Sequence, residues 1–182
     1  MRIVKLVIQT LVVISGIALV GACGTSSSRY AVQPSVAPTS VVTVKQLLEI
    51  PNKKARVYIQ EGVQTAKRDL DPWGVYCSVL MQKLHSDGEP RLSVSPGQFE
   101  VTKVRQYKEN QDFAGNFVAS LDGWNFVPPI VIFNLEMRLK STQQPGVRAL
   151  ICAKQVESFG SHYPSLAEIN SALGNAIEVK SP

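Results

Sequence analysis

The sequence is poor in the residues that enzymes concentrate. It holds two histidines, His85 and His162, in 182 residues. Neither sits in an HExxH pattern, so helical zinc-peptidase chemistry has no support. GxSxG and SxxK are both missing, which removes the hydrolase nucleophile elbow and the penicillin-binding serine. The P-loop and the dinucleotide glycine pattern are missing too. Only 18% of residues are charged, and the formal net charge is +5. The basic residues are spread thinly: Lys53, Lys54 and Arg56; Lys67 and Arg68; Lys103, Arg105 and Lys108. No basic stripe interleaves with aromatics, which argues against a nucleic-acid partner. With three cysteines, no CxxC pair and no histidine near them, a metal finds no ligand set, and no cofactor is expected. No apolar run reaches the ~20 residues that cross a bilayer as a helix.

What is present starts at the first residue. "MRIVK" is basic, and "LVIQTLVVISGIALV" is apolar apart from Gln9, Thr10 and Ser15. A basic end, a short apolar core and small residues after it make a secretory signal peptide over residues 1–22. Val20-Gly21-Ala22-Cys23 resembles the lipobox of bacterial lipoproteins. That resemblance implies a diacylglycerol thioether on Cys23 and cleavage before it. Gly21 and Ala22 let a peptidase approach the backbone, and a thiolate is the nucleophile the transfer needs. Acyl chains at ~0.8 kcal/mol per buried CH2 make a stable anchor once about two are present. Gly24, in place of an aspartate, points by the same resemblance to the outer membrane, facing the periplasm. Arg2 and Lys5 are the only charged side chains before Cys23, so the remaining chain carries +3. That small excess reads as solvated surface.

Residues 23–45 are rich in Ser, Thr, Ala and Pro and read as a tether. About twenty such residues reach ~25 Å. An N-terminal strand in "SVVTV" is the alternative for its last part. Residues 46–182 are one domain's worth of chain without internal repeats. Once Cys23 is lipidated, Cys77 and Cys152 remain. An even remainder in an exported chain predicts one disulfide, with a pair of buried thiols as the rival.

Alternation defines the strands. "ARVYIQ" turns Ala55, Val57 and Ile59 to one side, and "EGVQ" allows a turn at Gly62. "DLDPWG" is a loop. "VYCSVLMQKL" aligns Val75, Cys77, Val79 and Met81. "HSDGEP" and "SPGQ" are turns, and "FEVTKVRQY" is a strand. Asp122-Gly123 signals another turn. Val131, Phe133, Leu135, Met137 and Leu139 then alternate with Asn134, Glu136, Arg138 and Lys140. "VRALICAK" returns with Val147, Ala149 and Ile151 on one face, which leaves Cys152 on the other. A disulfide there requires a covered second face or an irregularity. Ser165 and Glu168 have capping-box spacing before a stripe of Leu166, Ile169 and Leu173, with Gly174 closing the helix. A short strand, "AIEV", follows. The fold class expected is mainly β (α+β): an antiparallel curled sheet or sandwich with one C-terminal helix and one disulfide.

Two aromatic turns, "LDPWGVY" and "LDGWNF", make Trp73, Tyr76, Trp124 and Phe126 a candidate binding surface. Closing the ends of the core is their competing role. Cys77 as a nucleophile with His162 as base needs a reduced thiol, which an oxidising compartment disfavours. Glu61, Asp69 and Asp71 have the chemistry for glycan cleavage, although acids near loops are common. The lipobox, "ARVYIQEG", "YCSVLM", "SPGQFEVTKV", "QPGVRALICAK" and "LAEINSALG" together resemble a family of small proteobacterial envelope lipoproteins of unknown function. The likeness runs from about Ala55 to Leu173 through the spacing of Cys77, Phe99, Gln144-Pro145, Cys152 and the last helix. It implies a single domain with the disulfide and assigns no catalytic residue. The expectation is a non-enzymatic, outer-membrane-anchored periplasmic lipoprotein. It would meet the membrane through its lipid and bind another envelope protein or the cell wall. The alternative is an enzyme, or an enzyme inhibitor, acting on wall glycan or peptide.

Overall fold

The computed structural model describes residues 35–83, 92–111, 130–157 and 163–182. The chain divides into two units, Met1–Gln33 and Pro34–Pro182, and every described residue lies in the second. The signal peptide, Cys23, His85, the turns at residues 85–90 and 122–123, Trp124, Phe126 and His162 lie outside the described residues.

Among the described residues, ten strands and one α-helix form in chain order. They are β1 (Val41–Val44), β2 (Leu48–Glu49), β3 (Arg56–Gln60), β4 (Val63–Thr65), β5 (Tyr76–Met81), β6 (Ser93–Val94), β7 (Gly97–Gln111), β8 (Ile130–Lys140), β9 (Val147–Glu157), α1 (Leu166–Leu173) and β10 (Ile177–Lys180). Eight strands make one sheet in the order β10-β1-β7-β8-β9-β5-β3-β4, with β2 and β6 paired separately. Every pairing is antiparallel. The sheet curls into a half-barrel, one of the two architectures expected. β1 lies inside the stretch read as tether. It is the alternative strand in "SVVTV" that forms, and Val36, Val42 and Val44 are buried with it.

Two register irregularities flank β8 at the same height. On β7 the pairing passes from Val101–Leu139 to Lys103–Arg138, so Thr102 is the extra residue. On β9 it passes from Met81–Val147 to Leu80–Ala149, so Arg148 is extra. Bulges increase local twist, and a pair at one level bends the sheet toward its inner face. The inner face carries Phe99, Leu135, Met137, Leu150, Cys77 and Val79, all at most 1% exposed.

The bulge at Arg148 also corrects the face predicted for β9. It inverts the alternation, so Leu150 and Cys152 follow Val147 inward while Ala149 and Ile151 turn outward. Cys152 then sits directly opposite Cys77, with the Cα atoms 4.0 Å apart and the sulfurs bonded. The outer face is covered as well at this point, because Ser78, Ala149, Ile151 and Ala153 are buried. The clean wet face expected for β8 is likewise interrupted by buried Asn134.

Helix α1 forms as its sequence dictates. Ser165 accepts from the Glu168 N–H, and the Glu168 carboxylate accepts from the Ser165 N–H. Ile169, Ala172 and Leu173 are buried against β3, β5 and β10. Those strands belong to opposite halves of the sheet, so the helix plugs the mouth of the half-barrel. At its end, Gly174 (φ 51°) presses on Gly62 (φ 79°), the second residue of the β3–β4 turn. The Gly62 N–H donates to the Ala172 carbonyl at 2.9 Å.

Candidate functional site: a cleft beside Trp73

The β3–β4 turn, the loop before β5 and the exposed side of α1 leave a cleft between them. Its volume is about 280 Å³. Glu61, Asp71, Trp73 and Gly74 line one side. Lys154, Glu168 and Ser171 line the other. Trp73 is 50% exposed, and it is the one aromatic among the exposed large hydrophobic side chains of the described residues.

That exposure is held in place by the backbone. Gln60, at the end of β3, donates from Nε2 to the Asp71 carbonyl (2.9 Å), and its Oε1 accepts from the Asp71 N–H (2.8 Å). Asp71 Oδ1 accepts from the Trp73 N–H at 3.0 Å, an Asx turn that fixes the intervening Pro72. The Gln155 N–H donates to the Pro72 carbonyl at 3.2 Å. Gly74 keeps this corner uncrowded. A Cβ on it would meet Gln60 Nε2 at 3.0 Å and Asp71 Oδ2 at 3.1 Å. The loop that carries Trp73 is therefore tied at three points while its ring stays half open to solvent.

The opposite wall is ionic. Lys154 leaves the inner face of β9 and meets Glu168 Oε1 at 2.6 Å. Glu168 Oε2 accepts from the Ser165 N–H and hydroxyl, both at 2.9 Å. The Lys154 contact first, and the Ser165 backbone bond second, hold the Glu168 carboxyl down at about 2. This contact joins β9 to the helix along that wall.

Of the four aromatics predicted to form one binding surface, the structure describes Trp73 and Tyr76 and does not bring them together. Tyr76 alternates with inward Cys77, so it points to the outer face and stands 6.5 Å from the Tyr58 ring, centroid to centroid. There Arg56 lies over Tyr58 and Arg105 over Tyr107. Burial pushes the hydroxyls of Tyr76 and Tyr107 up, which keeps both neutral. Glu61 and Asp71, separated by ten positions in sequence, do share the cleft. Nothing in the sequence marks Lys154, Glu168 and Ser171 as partners of that loop; β9 and the helix bring them there. A second hollow of about 310 Å³ lies at the two bulges, where Arg138 is already engaged by Glu136 at 3.0 Å.

No helix among the described residues is long and apolar enough to cross a membrane. No group of three or more metal-ligating side chains occurs among them. No family model matches the chain, and neither a curated protein nor a solved structure matches it.

Proposed function

We propose that the protein is a lipid-anchored envelope lipoprotein whose β domain is a binding module working through the Trp73 cleft. The anchor rests on Cys23 and the signal before it. The binding role rests on one observation: a tryptophan half exposed on a loop tied by Gln60, Asp71 and Gln155. The exposed half of the indole adds nothing to folding, whereas on a tied backbone it adds contact area to a complex at small entropic cost. The disulfide supports an oxidising compartment. Mass spectrometry of the purified protein should find a fatty adduct on an N-terminal Cys23. A photo-crosslinker at position 73 in intact cells should trap a specific envelope component, and one on the far face at Lys103 should not. An unmodified N-terminus would remove the anchor, and an empty crosslink at position 73 would remove the binding role.

A second reading is carried by the meeting of Glu61 and Asp71 in one cleft: an enzyme that cleaves wall glycan with that pair. It requires release of new reducing ends from purified cell wall and loss of that release in Glu61→Gln and Asp71→Asn. Absence of release by the wild type ends it.

A further inference from the structure

The chemistry of the cleft narrows what it can hold, on the reading that this cleft is the binding site. We infer that the Trp73 cleft binds a neutral saccharide, one sugar ring lying on the indole and its hydroxyls reaching the polar wall opposite.

Three classes of ligand compete for such a surface, and the wall groups distinguish them. An apolar ligand would strip water from Glu61, Asp71, Lys154 and Ser171 and give nothing back, which is costly for each. A cation would suit Trp73 and the two carboxylates, and Glu168 offsets Lys154, but a cation would leave the Lys154 and Ser171 donors unused, so it is the rival the titration must separate from a polyol. A polyol needs donors and acceptors together. Lys154 has three N–H groups and gives one direction to Glu168; Ser171 offers a hydroxyl; Glu61 and Asp71 accept. The C–H groups on one face of a sugar ring carry partial positive charge and are apolar, so they meet the negative face of an indole well. The volume, about 280 Å³ and open to solvent, lies near the lower end of ligand pockets, which suits one or two rings of a longer chain. The tied backbone at Asp71, Pro72 and Trp73 lowers the ordering cost that weak saccharide contacts would have to offset.

The test uses the full-length lipoprotein in detergent. Calorimetric titrations with tri-N-acetylchitotriose and cellotriose separate acetamido sugars from plain glucans, and tetramethylammonium serves as the cationic probe. The wild type should bind at least one trisaccharide saturably. Trp73→Ala should weaken that binding by about tenfold or more, and Trp73→Phe, which keeps a ring, by less. Both variants should keep a cooperative melt, since Trp73 is half exposed and lies outside the core cluster. Saccharide binding indifferent to Trp73→Ala overturns the inference, as does Trp73-dependent binding of tetramethylammonium without any sugar. If neither trisaccharide binds but a crosslinker at position 73 still traps a protein, the saccharide inference fails and the binding module stands. If no sugar binds and nothing is trapped, both fail.

Discussion

Single side-chain amides do an unusual share of the joining in this protein. Gln60 pairs with both backbone groups of Asp71, Gln144 with both of Ser95, and Asn170 with both of Val179. Gln64 spans the Leu47 carbonyl and the Glu49 N–H, tying the β4 edge to the β2–β6 pair. Each amide acts as a one-residue strand, donor and acceptor in the right order. A carboxylate of the same shape keeps one bond and sets an acceptor against a carbonyl. Gln60→Glu should therefore cost about 1–3 kcal/mol in denaturant melts and speed amide exchange at residues 71–75. An exchange pattern equal to wild type would show that the clamp does not order the loop. Glu168 gives a pH prediction at the same scale. Its carboxyl sits at about 2 when folded, against ~4.3 for a free glutamate. The unfolded chain binds the extra proton between those values, so this contribution is whole above about pH 4.3 and is lost as pH falls through about 2. In thermal melts across that range the wild type should lose more stability than Glu168→Gln, and the two should converge near pH 2. The spacing of Ser165 and Glu168 was readable as a cap from sequence, and it forms. The Lys154 partner was not, because fourteen positions and a change from strand to helix separate the two residues.

At the scale of elements, the helix and the β3–β4 hairpin are fitted to each other through two glycines. An ideal Cβ on Gly174 would fall 2.7 Å from the Gly62 Cα, a backbone atom that cannot swing aside. Gly174 also has φ 51°, which side chains adopt poorly. Gly174→Ala should destabilise by about 2–5 kcal/mol through strain and overpacking combined. Ser165→Ala, which only removes a cap, should cost about 1 kcal/mol. Similar losses for the two variants in urea melts would mean that the helix end is not pressed on the hairpin. The helix stripe and the strands from Arg56 to Gln60, Tyr76 to Met81 and Ile130 to Lys140 follow from alternation, since one side of each meets the core. The face of β9 does not, because a bulge adds one residue without any sequence mark and inverts everything after it. β1 was readable only as the alternative to a tether, for a different reason. Four residues of valine and threonine beside a Pro- and Ser-rich stretch form a strand only because β7 and β10 are there to pair with them.

At the scale of the whole molecule, the disulfide spans 75 positions in sequence yet bonds directly opposed residues at the centre of the sheet. Closing so long a loop is worth up to about 4.5 kcal/mol in the chain-entropy model. The double variant Cys77→Ala/Cys152→Ala should lower unfolding free energy by a substantial part of that, read from denaturant melts. Both cysteines are fully buried, so dithiothreitol should leave the bond intact in buffer and reduce it in denaturant. Ready reduction of the native protein would show that the barrel opens locally around β5 and β9. The disulfide, the helix plug and the glycine contact all act between distant parts of the curled sheet. The Trp73 cleft lies beside these joints, where the helix meets the β3–β4 turn.

The sequence by itself determined the parts whose physics is local. These are the alternation of most strands, the capped helix with its apolar stripe, the turn at Gly62 and the parity of cysteines that predicts one disulfide. The tertiary structure alone decided which way the sheet curls, which face of β9 turns inward, and which side chains gather around Trp73. Those outcomes depend on one-residue register shifts and on groups brought together across long separations. No local pattern of hydrophobic and polar residues carries that information.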